Sequence, residues 1–144
     1  MSEAAATIRL HGSAADWCGR GVLLRGDPGA GKSALLARLL GAGAYLVADD
    51  LVQLERRQRG LRASAPAATG LIELRGNGIF QIATAVGVPV SLCVDLLPPH
   101  GSPRLPESGA TSLLGVEIPL LRLAGDTPAA LAQILVTLAA RRVH

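Results

Sequence analysis

The chain has 144 residues, 49% of them hydrophobic, 17% charged and 2% aromatic, with a formal net charge of +3. That length suits a single domain over residues 1–144 with a core of Leu, Val, Ile and Ala, and the absence of charge runs or low-complexity tracts argues against a disordered tail. Its basic residues are scattered rather than striped, Met1–Thr7 is not a secretory signal, and no apolar run reaches the roughly 18–20 residues that cross a bilayer, so a cytoplasmic protein without nucleic-acid or membrane partners is expected.

Gly21–Arg25 reads as a short buried strand feeding a glycine-rich turn, and Lys32–Leu40 has helical character until Gly41 and Gly43 stop it. Tyr45–Ala48 is a second buried strand, ending on Asp49 and Asp50. Leu51–Arg57 alternates apolar and polar residues with the period of a half-exposed strand, and Gln58–Gly60 suits a hairpin turn. Leu71–Leu74, Val90–Leu96 and Val116–Leu123 are further strands, separated by turn-rich stretches such as Pro98–Pro106. The last element is a helix with apolar residues recurring from Leu131 to Leu138, Asp126 or Thr127 as its cap and Pro128 in its first turn. Strands outnumber helices, so the expected fold is α/β with a mixed, strand-rich sheet and few covering helices. Cys18 and Cys93 show no zinc or redox spacing and are expected as buried free thiols.

Gly26-Asp27-Pro28-Gly29-Ala30-Gly31-Lys32-Ser33 satisfies the phosphate-loop pattern, in the required place between a strand and a helix start. Gly29 and Gly31 let backbone N–H groups wrap closely around adjacent phosphates at the positive end of a helix. Lys32 is the only lysine in a chain that otherwise uses Arg; it reaches the outer phosphates, and the Ser33 hydroxyl is placed for the magnesium that bridges them. The loop therefore points to ATP and Mg²⁺. Gly76-Asn77-Gly78 is too short for a dinucleotide fingerprint and precedes no helix.

A strand running parallel to Gly21–Arg25 would carry Asp49 and Asp50 to the side of this loop. There one carboxylate can order magnesium or its water while the other accepts the proton of an attacking hydroxyl; a helix cap or surface turn is the plain alternative. Glu73 ends another apolar strand and is either a further oxygen for the metal or the partner of Arg75. His11 falls in no metal pattern, and Arg104, in a proline-rich loop, is not singled out by its surroundings.

Together the segments His11-Gly12, Gly26 to Ser33, Leu46-Val47-Ala48-Asp49-Asp50, Ile72-Glu73-Leu74-Arg75-Gly76-Asn77-Gly78-Ile79 and Leu114-Gly115-Val116-Glu117-Ile118-Pro119 resemble the catalytic domain of the HPr kinase/phosphorylase family. The likeness covers nearly the whole chain, in a short form without the amino-terminal domain of longer members. It implies a P-loop fold of the HPr kinase and phosphoenolpyruvate carboxykinase type, and a kinase that moves the γ-phosphate of ATP to a serine of the phosphocarrier protein HPr or a nitrogen-branch homologue. In the family this regulates carbohydrate and phosphotransferase metabolism, and the reverse step uses inorganic phosphate. The resemblance further implies that Lys32 and the loop hold nucleotide, that Ser33 and Glu73 hold magnesium, and that Asp50 is the proton acceptor with Asp49 assisting. His11 matches the family's active-site histidine and Arg104 its catalytic arginine.

Two positions and one segment depart from the family pattern: Ala34 replaces a common glutamate, and Asn77 a hydrophobic residue. Leu121 to Asp126 stands where longer members carry an Arg-Pro-Gly-Arg-Asn segment used in phosphate-dependent dephosphorylation. Longer members form hexamers, which makes self-association a further expectation. Two other readings share the loop: a small-molecule kinase, although no lid-length segment lies between Gly60 and Pro106, and a non-catalytic domain that binds ATP as a regulatory switch.

Overall fold

The computed structural model describes residues 6–67, 70–74, 76–97, 109–124 and 127–140. Eleven strands and two helices lie among them: β1 (Thr7–His11), β2 (Ser13–Trp17), β3 (Arg20–Arg25), α1 (Lys32–Gly41), β4 (Tyr45–Ala48), β5 (Leu51–Arg57), β6 (Gly60–Ser64), β7 (Leu71–Leu74), β8 (Gly78–Gln81), β9 (Val88–Leu97), β10 (Gly109–Leu113), β11 (Val116–Ala124) and α2 (Ala130–Ala140). The expected strand-rich α/β sheet with few helices is the observed architecture.

Nine strands form one mixed sheet along the path β1-β5-β6-β9-β3-β2-β4, with β11 pairing β9 and β10 pairing β11. β9 is its centre, running parallel to both β3 and β11. Its residues and those of β3 are apolar on both sides because both faces of the sheet are covered. Val22 and Leu24 of β3, with Leu92, Val94 and Leu96 of β9, enter one cluster with Leu35, Leu36 and Leu39 of α1 and Ile134 and Leu138 of α2. Leu23 and Cys93 point the other way, into a second cluster with Val52 and Leu54 of β5, Leu61 of β6 and Ile118 and Leu120 of β11. This is the period-2 alternation of a strand buried on both faces.

Several expectations change in detail. β4 runs parallel to β3, as anticipated, but does not neighbour it: β2 lies between them and pairs antiparallel with each. β2 has the sequence Ser-Ala-Ala-Asp-Trp, with little intrinsic strand character, and forms because two strands pair with it while Ala15 is buried in the cluster that holds α1 and Ala14 in the cluster on the other face. Tyr45 is exposed rather than buried. Cys93 is buried, but Cys18 corrects the expectation of two buried thiols: it is exposed in the β2–β3 turn at a φ of 54°. Helix α1 continues through Gly41 before the chain turns at Ala42 and Gly43, and α2 starts at Ala130, after Pro128 rather than on it. Leu71–Leu74 joins no large sheet; it pairs only with β8 in a two-stranded hairpin whose turn includes Gly76 and Asn77, with Gly78 opening β8 opposite Leu74. Arg75, Asp126 and the Pro98–Pro106 stretch lie outside the described residues.

The strand directions matter most for the site. β3, β4, β9 and β11 all run the same way. Their carboxyl ends, Arg25, Ala48, Leu97 and Ala124, therefore share one edge of the sheet, the edge at which open α/β sheets place ligands.

Candidate active site

At that edge β3 ends and the chain turns through Gly26–Gly31 into α1. The turn needs its glycines: Gly29 and Gly31 have φ of 85° and 103°, where a side chain is strained. At Gly26 a Cβ would stand 2.9 Å from the Leu96 carbonyl oxygen, so the loop rests directly on the end of β9. Ala30 is buried, and its N–H donates to the Asp27 carbonyl (3.0 Å), closing the loop. Asp27, Pro28 and Gly29 are exposed at the rim. No acidic residue occupies the first turn of α1, so the helix's own first turn leaves its positive end unneutralised. The Lys32 ammonium donates back to the Gly26 carbonyl and, at 3.3 Å, to that of Asp27, which holds its charge over the loop. Ser33 is exposed in the same helical turn. Loop, helix end and ammonium together are the elements of an anion site.

The acidic pair follows β4. The Leu51 N–H donates to the Asp49 carbonyl at 2.8 Å, and the intervening Asp50 has a φ of 68°, a three-residue γ-turn. Left-handed backbone costs an ordinary residue about 1–2 kcal/mol, and Asp is one of the few types that adopts it. The turn is pinned from outside: the Gly12 N–H donates to the Asp50 carbonyl at 3.1 Å, and His11 stands opposite Leu51 in the β1–β5 ladder. His11 is thereby placed beside the turn. Gly12 has to be glycine, since a Cβ would lie 2.6 Å from the Leu24 carbonyl oxygen. The next residue, Ser13, is buried and donates its hydroxyl to Asp49 Oδ1 at 3.1 Å. The sequence did not single it out; its place directly after His11-Gly12 was the only signal.

Burial pushes the Asp49 carboxyl above the ordinary aspartate range, and the negative charge of Asp50 adds to the effect. The Ser13 hydroxyl and the Asp50 backbone N–H pull it partly back, while Glu73 pushes it up again. Glu73 therefore reaches the acidic turn electrostatically from β7, although it belongs to a separate hairpin. Among the described residues no three His, Cys, Asp or Glu converge as a preformed metal cage. Mg²⁺ does not need one: it is commonly held by one or two carboxylates, with substrate phosphates and water completing six oxygens. The Asp49 carboxylate, on which the charges of Asp50 and Glu73 act, belongs to a hard-oxygen set that fits such an ion.

Lys32, Ser33, Asp49, Asp50 and His11 are thus carried to one edge of the sheet, with Glu73 close enough to act on Asp49. Arg104 lies outside the described residues. A further ionic group, not anticipated from sequence, supports the phosphate loop. Arg25, the residue before Gly26, forms a two-pronged ion pair with Asp95 of β9 (2.7 and 3.0 Å) and approaches the Thr111 hydroxyl at 3.5 Å. The two are opposite each other in the β3–β9 ladder, and only that pairing relates them.

Fold and site define an α/β phosphate-loop domain with an acidic turn beside the loop. The chain belongs to the HPr serine kinase C-terminal domain family, whose family model matches residues 2–141. Similar proteins include the HPr kinase/phosphorylase of Chlorobium limicola, 34% identical over 129 residues covering 80% of this chain. That of Brevibacillus brevis is 44% identical over 85 residues, 58% of this chain. The chain spans 39% and 27% of the lengths of these two relatives. The solved structure of the Hpr(Ser) kinase/phosphatase from Coxiella burnetii superposes with a TM-score of 0.80 at 25% identity, over 94% of this chain and 97% of that one.

Proposed function

We propose that this domain is an ATP- and Mg²⁺-dependent protein-serine kinase whose acceptor is the phosphocarrier protein HPr or a nitrogen-branch homologue. The observation that carries the reading is the convergence of the phosphate loop and the Asp49–Asp50 turn at one edge of the sheet, each fixed by backbone hydrogen bonds. Membership of the HPr serine kinase family supports the choice of acceptor.

In this reading the loop N–H groups and Lys32 hold the outer phosphates, and Ser33 and Glu73 hold magnesium. The metal, when bound, offsets the charge that gathers on the transferring group. Asp50, exposed on its strained turn, accepts the proton of the seryl hydroxyl while the serine oxygen bonds to the γ-phosphorus and the bond to ADP breaks. Asp49, anchored by Ser13, keeps the turn in register and shares the metal's field. His11, opposite Leu51 in the β1–β5 ladder, is placed beside the same turn, and Arg104 is assigned to charge stabilisation on the transferring phosphoryl group.

The test is transfer from γ-labelled ATP to a serine of the carrier with Mg²⁺. Asp50→Asn is expected to lower kcat by about 10²–10⁴-fold while ATP affinity stays within a few fold. Labelling of a small metabolite with none on any carrier would refute the reading. Unaltered turnover in Asp50→Asn would refute the role given to that carboxylate.

A further inference from the structure

A cleft of about 290 Å³ opens beside the acidic turn, and Asp49 forms part of its wall. Its other walls are largely aliphatic, with Leu51, Ala65, Pro66, Ala67 and Leu71 among them and the Thr84 hydroxyl as a neutral polar group. Among the described residues, no Arg, Lys or His lines it.

Size, charge and position each restrict the occupant. The volume lies at the bottom of the range for small-molecule sites, about 300–1,000 Å³, which is too small for a nucleotide and suits one or two side chains. Among the described residues the only ionisable group on its wall is the Asp49 carboxylate, whose negative charge disfavours phosphorylated or carboxylated ligands. Because Asp49 belongs to both the cleft and the acidic turn, whatever fills the cleft lies next to a hydroxyl presented to Asp50. An extended polypeptide advances only about 3.3 Å per residue, so the part of a protein substrate that falls in the cleft is a side chain close to the serine in sequence. Leu71, at its rim, is 48% exposed, and Ile79, 68% exposed, lies on the same face of the β7–β8 hairpin, with Glu73 and Gln81 beside them through the pairings Leu71–Gln81 and Glu73–Ile79.

We infer that this cleft is an acceptor subsite, taking an uncharged aliphatic side chain that stands one or two residues from the phosphorylated serine in the protein substrate. The inference rests on the protein-kinase reading above, and adds to it the residue type that the acceptor must carry beside its serine.

The experiment uses the whole chain, its carrier substrate, and carriers in which the two residues on either side of the serine are replaced singly by Asp. These are compared on the native enzyme and on Ala67→Phe, which fills the cleft from an exposed position; Ala67→Val serves as a milder second variant. Calorimetric ATP affinity checks that each variant retains its fold. On the native enzyme, replacing one flanking aliphatic residue by Asp should raise KM about tenfold or more with little change in kcat. Ala67→Phe should raise KM for the unaltered carrier by a similar factor and abolish the difference between the two carriers. Equal KM for all carriers, or an Ala67→Phe enzyme with native KM, overturns the subsite and leaves the kinase reading standing. So would binding of a phosphorylated metabolite that Ala67→Phe blocks. No transfer to any carrier by the native enzyme removes the kinase reading and the subsite with it.

Discussion

Replacing Asp49 by Asn should make the folded protein more stable at neutral pH while damaging its site. The carboxyl is pushed above the ordinary aspartate value of 3.8 chiefly by burial, then by the charge of Asp50, so the fold prefers it neutral. A raised value means that the group's favourable contribution is complete below 3.8 and is lost as pH rises through the higher folded value. Asn never ionises and so avoids that loss. Its Oδ1 can still accept the Ser13 hydroxyl, now at 3.1 Å from Asp49, so no buried donor is left without a partner. The side chain is half-buried and its field is screened, so the gain is about 0.5–1 kcal/mol, a rise of roughly 1–4 °C in Tm for a domain of this size. Thermal unfolding of both proteins, followed by circular dichroism without nucleotide, checks this from neutral pH downward. The difference should shrink with falling pH and vanish below 3.8. High salt should remove the part due to Asp50 and leave the part due to burial. An Asp49→Asn protein less stable than the native one at neutral pH, or a gain independent of pH, would refute this account of the acidic turn.

Gly12→Ala places a Cβ 2.6 Å from the Leu24 carbonyl oxygen and strains the N–H bond to Asp50; a loss of about 1–3 kcal/mol is expected, read from the urea midpoint. Asp95→Asn leaves the Arg25 guanidinium with a neutral partner in a pair whose side chains are 26% and 28% exposed, an environment between surface and interior. The expected cost is about 1–2 kcal/mol. The double variant Arg25→Met with Asp95→Leu should recover much of it, which a double-mutant cycle measures. Thiol titration should find one reactive group in the native protein, the exposed Cys18, and two in denaturant. Cys93 is buried and pushed up to about 12, so little thiolate forms there at neutral pH.

Much of the fold was readable where local pattern and burial agree. Tyr45–Ala48, Leu51–Arg57 and Leu71–Leu74 have the expected bounds, because an apolar run or a strict alternation fixes both a strand's type and its faces. Val90–Leu96 proved longer at its start, since Val88 and Pro89 are recruited by pairing with Ala63 and Arg62 of β6. β1 and β2 were not readable: the small residues of β2 gain their strand from neighbours distant in sequence. Asp49 and Asp50 were legible as candidates from their place after an apolar run, but Ser13 was not, because a lone serine near a strand start has many uses.

The sequence by itself determined the phosphate loop. Its conformation follows from glycines at positive φ and a helix that starts at Lys32, interactions that span fewer than ten residues. Only the tertiary structure decided the acidic turn and its surroundings: that β2 separates the two parallel strands, that Ser13 holds Asp49 from 36 residues away, and that Arg25 meets Asp95 across 70. Those contacts arise from strand pairing and from burial on both faces of the sheet, terms that exist only once distant segments have been brought together.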